Sequence, residues 1–100
     1  MSISRIEMDI PEALRIEITD DALVVELSDA RIISVPLAWY PRLMRASAAE
    51  RSHWRLIGGG EGIHWADLDE DISVENLLAG RRSGESQASF KRWLMSRQTA

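Results

Sequence analysis

Between Leu14 and Leu37 the hydropathy of this chain alternates with a period of two, a pattern that admits very few folds. Ile16 and Ile18 alternate with Arg15 and Glu17, and Leu23, Val25 and Leu27 alternate with Val24 and Glu26. Successive side chains of a strand point to opposite faces, so each run has one face for a core and one for water. A helix would scatter the same residues around its axis. Asp20-Asp21 and Ser28-Asp29-Ala30-Arg31 punctuate the runs, which predicts three strands in an antiparallel meander with Ile16, Ile18, Leu23, Val25 and Leu27 facing inward. Ile3 to Met8 is read as an added edge strand ended by Pro11. Pro36 closes the third strand of the meander, because it cannot donate to a ladder.

Beyond Pro36 the period changes. Over Ala38 to Ser52, Trp39, Leu43 and Met44 fall on one helical face, with Pro41 in the first turn, where its missing N–H costs nothing. Ser47 is placed to cap a second helical turn leading to His53. Trp54 to Ile57 and Gly62 to Trp65 read as a hairpin across Gly58-Gly59-Gly60-Glu61. Ser73 is a good N-cap for a helix burying Val74, Leu77 and Leu78, and Gly80 stands at its left-handed C-cap position. Residues 81 to 85 are a polar linker, after which Ser86 caps a last helix with an apolar stripe of Phe90, Trp93 and Leu94. The fold class that follows is α+β: a small antiparallel sheet, made of a three-stranded meander plus a second hairpin, packed with two to four short helices. Residues 1–80 form the core; residues 81–100, the linker and terminal amphipathic helix, belong to the same domain.

The length of 100 residues, with 45% apolar and 28% charged, suits a single globule with a modest core. Without cysteine there are no disulfides and no thiolate metal sites. The first residues lack a basic-then-apolar leader, and no apolar run is long enough to span a bilayer, so a cytoplasmic protein without a membrane partner is expected. A net charge of −4 disfavours nucleic acid as a direct partner, since phosphates are repelled on average. The charge is unevenly spread. Residues 7 to 29 carry eight carboxylates against Arg15 alone, whereas Arg81, Arg82, Lys91, Arg92 and Arg97 stand against Glu85 near the end.

Four groups of residues are candidates for chemistry. Asp67, Asp69 and Asp71 alternate like the start of a calcium loop, but the sixth and twelfth positions from Asp67 hold Ile72 and Leu78, where such a loop needs glycine and a bidentate glutamate. Asp71, Ser73 and Glu75 are instead read as lying at or near a helix N-terminus, where the macrodipole favours negative charge. Gly58, Gly59, Gly60 and Gly62 match no phosphate-binding pattern and precede a strand, so they are read as a turn needing positive φ. His53 and His64 are the two histidines; His64 with Asp67, Asp69 and Asp71 is the candidate ligand cluster, in which a hydrogen-bonded strand histidine is the default and neither metal nor cofactor is expected. No catalytic residue is assigned, because no serine sits in a nucleophile elbow and nothing assembles a nucleophile, base and oxyanion hole. Trp39, Trp54, Trp65 and Trp93 are a heavy tryptophan load, read as core and rim packing, with any exposed ring marking an interface.

The runs LSDARIISVPLAWYPRL, WRLIGGGEGIHWADLDEDISVENLLAG and SGESQASFKRWL resemble the bacterial family named domain of unknown function 2442. The resemblance extends from Leu23 to Leu94, and Gly62-Ile63-His64-Trp65 with Asp69-Glu70-Asp71-Ile72-Ser73 is its most distinctive part. It departs at Ala30, where the family pattern reads Asp-Gly, so the turn is reached either with strain of about 1 kcal/mol or by another geometry. The resemblance implies a compact α+β domain without assigned activity, cofactor or catalytic residues. Family members are often encoded beside another small protein in an arrangement like that of toxin–antitoxin pairs, and some carry a helix-turn-helix domain, which is not expected within the residues after Gly80.

The leading expectation is a non-enzymatic interaction or regulatory module, antitoxin-like, whose partner is a small protein or a second copy. Its expected interaction surface is Trp93, Lys91, Arg92 and Arg97, with the Trp93 stripe packing on the chain's own sheet and a basic outer face left for an acidic partner. The alternatives are a metal- or ligand-binding enzyme using His64, Asp67 and Asp69, and a nucleic-acid accessory using the basic terminal helix.

Overall fold

The computed structural model describes residues 9–98. The edge strand expected at Ile3 to Met8 lies outside them. The meander forms as the alternation predicts: β1 (Ala13–Ile18), β2 (Ala22–Leu27) and β3 (Ile32–Pro36) pair antiparallel in the order β1-β2-β3. Val25 lies opposite both Ile16 and Ile33, and Leu23 opposite both Ile18 and Val35, which puts all six on one face. Leu23, Val25, Leu27 and Val35 are buried, while Ile16, Ile18 and Ile33 are half-buried against them. A bulge between Ala13 and Arg15 turns Leu14 outward, where it is 54% exposed.

Ala30 makes its turn in the left-handed region that glycine favours, at a cost in strain. Its φ is +77°, its N–H donates to the Leu27 carbonyl (3.1 Å), and Asp29 Oδ1 accepts from the Arg31 N–H (3.1 Å). An alanine in the left-handed region costs roughly 1–2 kcal/mol, partly offset by the freedom a glycine would lose on folding. Ala30→Gly is therefore expected to raise stability by about 0.5–1 kcal/mol, read as a higher urea midpoint at unchanged slope.

The single helical face expected at Trp39, Leu43 and Met44 is broken in two. Leu37–Trp39 is a 3-10 turn, and α1 (Pro41–Met44) starts only after Tyr40, whose φ of −127° is not helical. Pro41 causes the break, because a proline ring bars its predecessor from helical geometry. Leu37, Tyr40 and Leu43 are buried, whereas Met44 is 43% exposed. In α2 (Ala48–Ser52), Ser47 and Glu50 form a reciprocal capping box: Ser47 Oγ accepts from the Glu50 N–H (3.1 Å) and Glu50 Oε1 from the Ser47 N–H (2.9 Å).

The second hairpin, β4 (Trp54–Ile57) and β5 (Gly62–Trp65), falls where expected, but it gains a third strand, β6 (Glu70–Ser73), in the order β4-β5-β6. Asp71 therefore lies in a strand opposite His64, two residues before Ser73, the N-cap of the helix that follows, and Glu75 stands in that helix's first turn. A 3-10 turn at Ala66–Leu68 and a left-handed Asp69 (φ +52°) reverse the chain into β6. Ile63, Trp65, Leu68, Ile72, Val74 and Leu77 join the buried face of the meander in one core. The two sheets are tied by a backbone bond through the glycine turn, in which the Ala13 N–H donates to the Gly60 carbonyl (2.7 Å), while the Val74 N–H donates to the Glu61 carbonyl (2.9 Å) and extends the β5–β6 pairing by one step.

α3 (Val74–Ala79) is capped by Ser73, whose Oγ accepts from the Asn76 N–H (3.0 Å), and ends at Gly80 with φ +74°. Its Leu78 is 38% exposed rather than part of the buried face, since a helix this short presents only Val74 and Leu77 to the core. Six residues without regular structure lead to α4 (Gln87–Gln98), where Ser86 Oγ accepts from the Ser89 N–H (3.1 Å). No residue of α4 is fully buried.

Candidate functional site

The His–Asp cluster does not assemble. Asp67 Oδ2 lies 2.9 Å from Nδ1 of His53, not near His64, and His64 Nδ1 pairs with Asp71 across the β5–β6 ladder. Asp69 is diverted into the left-handed turn, where its carbonyl accepts from Arg42 at 3.4 Å. The candidate ligands are thus split into two separate imidazole–carboxylate pairs, and among the described residues no group of three or more His, Asp or Glu side chains could hold a metal ion. The glycine cluster is structural: Gly58, Gly59 and Gly60 all have positive φ, as a tight hairpin turn demands.

What the fold does bring together is a cleft of about 370 Å³ between β6, α3, the linker and the start of α4. Arg42 lines it. Its Nη1 donates to the Leu68 carbonyl (2.8 Å), while Nε and Nη2 grip the Glu85 carboxylate at 2.9 and 2.6 Å. Ser89 Oγ donates to the same carboxylate (2.8 Å), and Tyr40 Oη donates to the Arg81 carbonyl (3.2 Å). The Arg42–Glu85 pair is well enclosed, with side chains 15% and 11% exposed, so solvent screens it less than a surface pair. Arg42 holds Glu85 below the ordinary carboxylate range.

Glu70 lines the same cleft and behaves in the opposite way. Burial pushes its carboxyl up from the ordinary 4.5 to about 7; Arg42 opposes the rise, while Glu85, Asp71 and Asp69 add to it. Between those pH values the native state keeps a proton that the unfolded chain has lost, so stability falls as pH rises from about 4.5 to about 7. Glu50 runs the other way: its bonds to Arg97 and to the Ser47 N–H bring it down to about 2, a contribution present above 4.5 and lost toward pH 2. Glu70→Gln is therefore expected to flatten the neutral limb of the stability–pH curve and leave the acid limb. In thermal melts the variant should exceed the unaltered protein by several degrees at about pH 8 and match it near pH 4; equal slopes above pH 5 would count against the raised Glu70 carboxyl.

The expected interaction surface divides in two. Trp93 turns inward, half-buried against the core, stacked on Phe90 (5.8 Å) and flanked by the guanidinium groups of Arg42 (5.1 Å) and Arg97 (4.5 Å). Arg97 also reaches back to Glu50 (2.7 Å). Trp93 thus packs on the chain's own core with Arg42 of α1 over its ring, while Arg97 ties the helix to Glu50 of α2. Lys91 and Arg92 stay exposed, with no ion pair among the described residues.

Sequence reasoning missed Arg42, Glu70 and Glu85 as a group. The available signal was in Glu70 and Ile72, which share the inward parity of a strand once β6 is recognised.

Among the described residues no helix is long and apolar enough to cross a membrane. Residues 13–83 match the family described as protein of unknown function (DUF2442), and the chain belongs to it. The fold is similar to a crystal structure of a protein of unknown function from Rhodospirillum rubrum, at 26% identity and a TM-score of 0.63, over 78% of this chain and 94% of that one. It is also similar to the solution structure of an uncharacterised protein from Chromobacterium violaceum, at 18% identity and a TM-score of 0.66, over 81% of this chain and 76% of that one. Among curated proteins nothing matches.

Proposed function

We propose that this member of the DUF2442 family is a non-enzymatic, cytoplasmic interaction module that binds an acidic protein partner, in a regulatory and antitoxin-like role. The observation that carries this is the division of α4: its aromatic face is committed to the chain's own core, leaving Lys91 and Arg92 exposed and unpaired among the described residues. Cations held on a fixed helix face steer an acidic partner and fix its register without disturbing the fold. A non-catalytic role is supported by the two histidines, each spent on a single aspartate, and by serine hydroxyls placed as helix caps. With a net charge of −4, duplex DNA is not expected to compete.

The test is affinity capture from the native cell with the unaltered protein and with a Lys91→Glu, Arg92→Glu double variant. The variant should melt within about 1 °C of the unaltered protein, since exposed charges away from a network matter little to stability. It should also lose a stoichiometric partner that the unaltered protein retains. Equal recovery by both would remove the α4 face from consideration.

A further inference from the structure

Arg42 is held on one side by the core and on the other by an appendage. Its Nη1 is tethered to the Leu68 carbonyl at 2.8 Å and reaches that of Asp69 at 3.4 Å, both on the turn that leads into β6. Its remaining edge, Nε and Nη2, points into the cleft and carries Glu85 as a fork. Glu85 lies just past residue 83, where the family match ends, so the guanidinium and the carboxylate it grips belong to different parts of the chain. The segment that brings Glu85 in has no regular structure, and the helix behind it buries no residue completely.

We infer that the Arg42 cleft is a receptor for a glutamate or aspartate side chain of the acidic partner, and that Glu85 is its resident intramolecular occupant. This rests on the reading that the protein binds an acidic partner, and it moves the contact from the outer face of α4 to the cleft beneath it. A guanidinium already oriented by backbone carbonyls loses little freedom when its planar fork closes on a carboxylate. The tethered Glu85 competes with any incoming carboxylate through its high local concentration, so the free site is masked rather than absent. Asp69, Glu70 and Asp71 also line the cleft. The charge of Asp69 and Asp71 disfavours a phosphate or a dense acidic run and suits one carboxylate presented singly, with Arg81 and Arg82 at the cleft wall for a neighbouring acidic residue.

The probe is a fluorescently labelled Ala-Glu-Ala-Glu-Ala peptide, with its Gln counterpart as control, measured by anisotropy at low and moderate salt. Glu85→Gln, which removes the internal competitor at near-constant shape, should bind the acidic peptide about tenfold more tightly than the unaltered protein. Arg42→Gln in the Glu85→Gln background should abolish that gain. Arg42→Lys, which keeps the charge without the fork, should retain little of it. Equal affinity of Glu85→Gln and the unaltered protein would overturn the inference, as would full binding after loss of Arg42. Should Arg42→Gln fail to fold, the near-isosteric Glu85→Gln and Arg42→Lys decide alone. Binding that disappears in the Lys91→Glu, Arg92→Glu variant but ignores Arg42 and Glu85 would keep the proposed function and discard the cleft. No binding by any variant would count against both.

Discussion

Trp65→Ala is expected to remove about 3–5 kcal/mol of folding stability, a large part of what a domain of this size has. Trp65 is the largest fully buried side chain of the core, at 0% exposure. It lies opposite Trp54 in the β4–β5 ladder and opposite Glu70 in the β5–β6 ladder, and it joins the core that the two sheets share. Its indole Nε1 donates to the Arg51 carbonyl at 3.1 Å, so truncation opens a cavity and leaves a carbonyl of α2 without its donor. The same change at Trp93 is an internal control. That ring is half-buried and held by stacking and two guanidinium contacts, and its loss should cost only about 1–2 kcal/mol. Urea denaturation of the two variants side by side reads the difference. Equal losses would mean that α4 is as integral to the core as β5.

The first sheet was readable because its two faces differ: Leu23, Val25 and Leu27 against Glu26 and Arg15 is an unambiguous period of two. Caps were readable for a similar local reason, as at Ser47, Ser73, Ser86 and Gly80, where the residue type answers an orphaned backbone group. β6 was not readable. Its four residues carry only one strong apolar side chain, Ile72, set among carboxylates that mimic an ion-binding loop. Strand pairing with β5 stabilises them, and that is a tertiary effect. The cleft was hidden for a further reason. Arg42, Glu70 and Glu85 stand on three separate segments, and no local spacing relates them. Trp39, Leu43 and Met44 have helical spacing, but it runs through Tyr40, and the proline after Tyr40 forbids a continuous helix there.

Gly60→Ala is expected to cost about 3 kcal/mol, the sum of two separable effects: roughly 1–2 kcal/mol for an L-residue at positive φ and about 1–3 kcal/mol for overpacking. The glycine has φ +106°, and a Cβ there would stand 2.6 Å from Glu12 Cβ and 2.8 Å from the Ala13 carbonyl oxygen. The second neighbour is backbone and cannot swing aside. Moving it would strain the 2.7 Å bond from the Ala13 N–H to the Gly60 carbonyl, which joins the glycine turn to β1. Gly59 separates the two effects. Its φ is +68°, but nothing lies within 4 Å of a Cβ there, so Gly59→Ala should lose only the conformational part, about 1 kcal/mol. Chemical denaturation of both variants checks the assignment, and amide exchange at Ala13 reports the inter-sheet bond directly. Gly60→Ala should speed that exchange and Gly59→Ala should not. If the two substitutions cost the same and leave Ala13 equally protected, the glycine run serves the hairpin turn alone, and the sheets are held together by side-chain packing without help from the backbone.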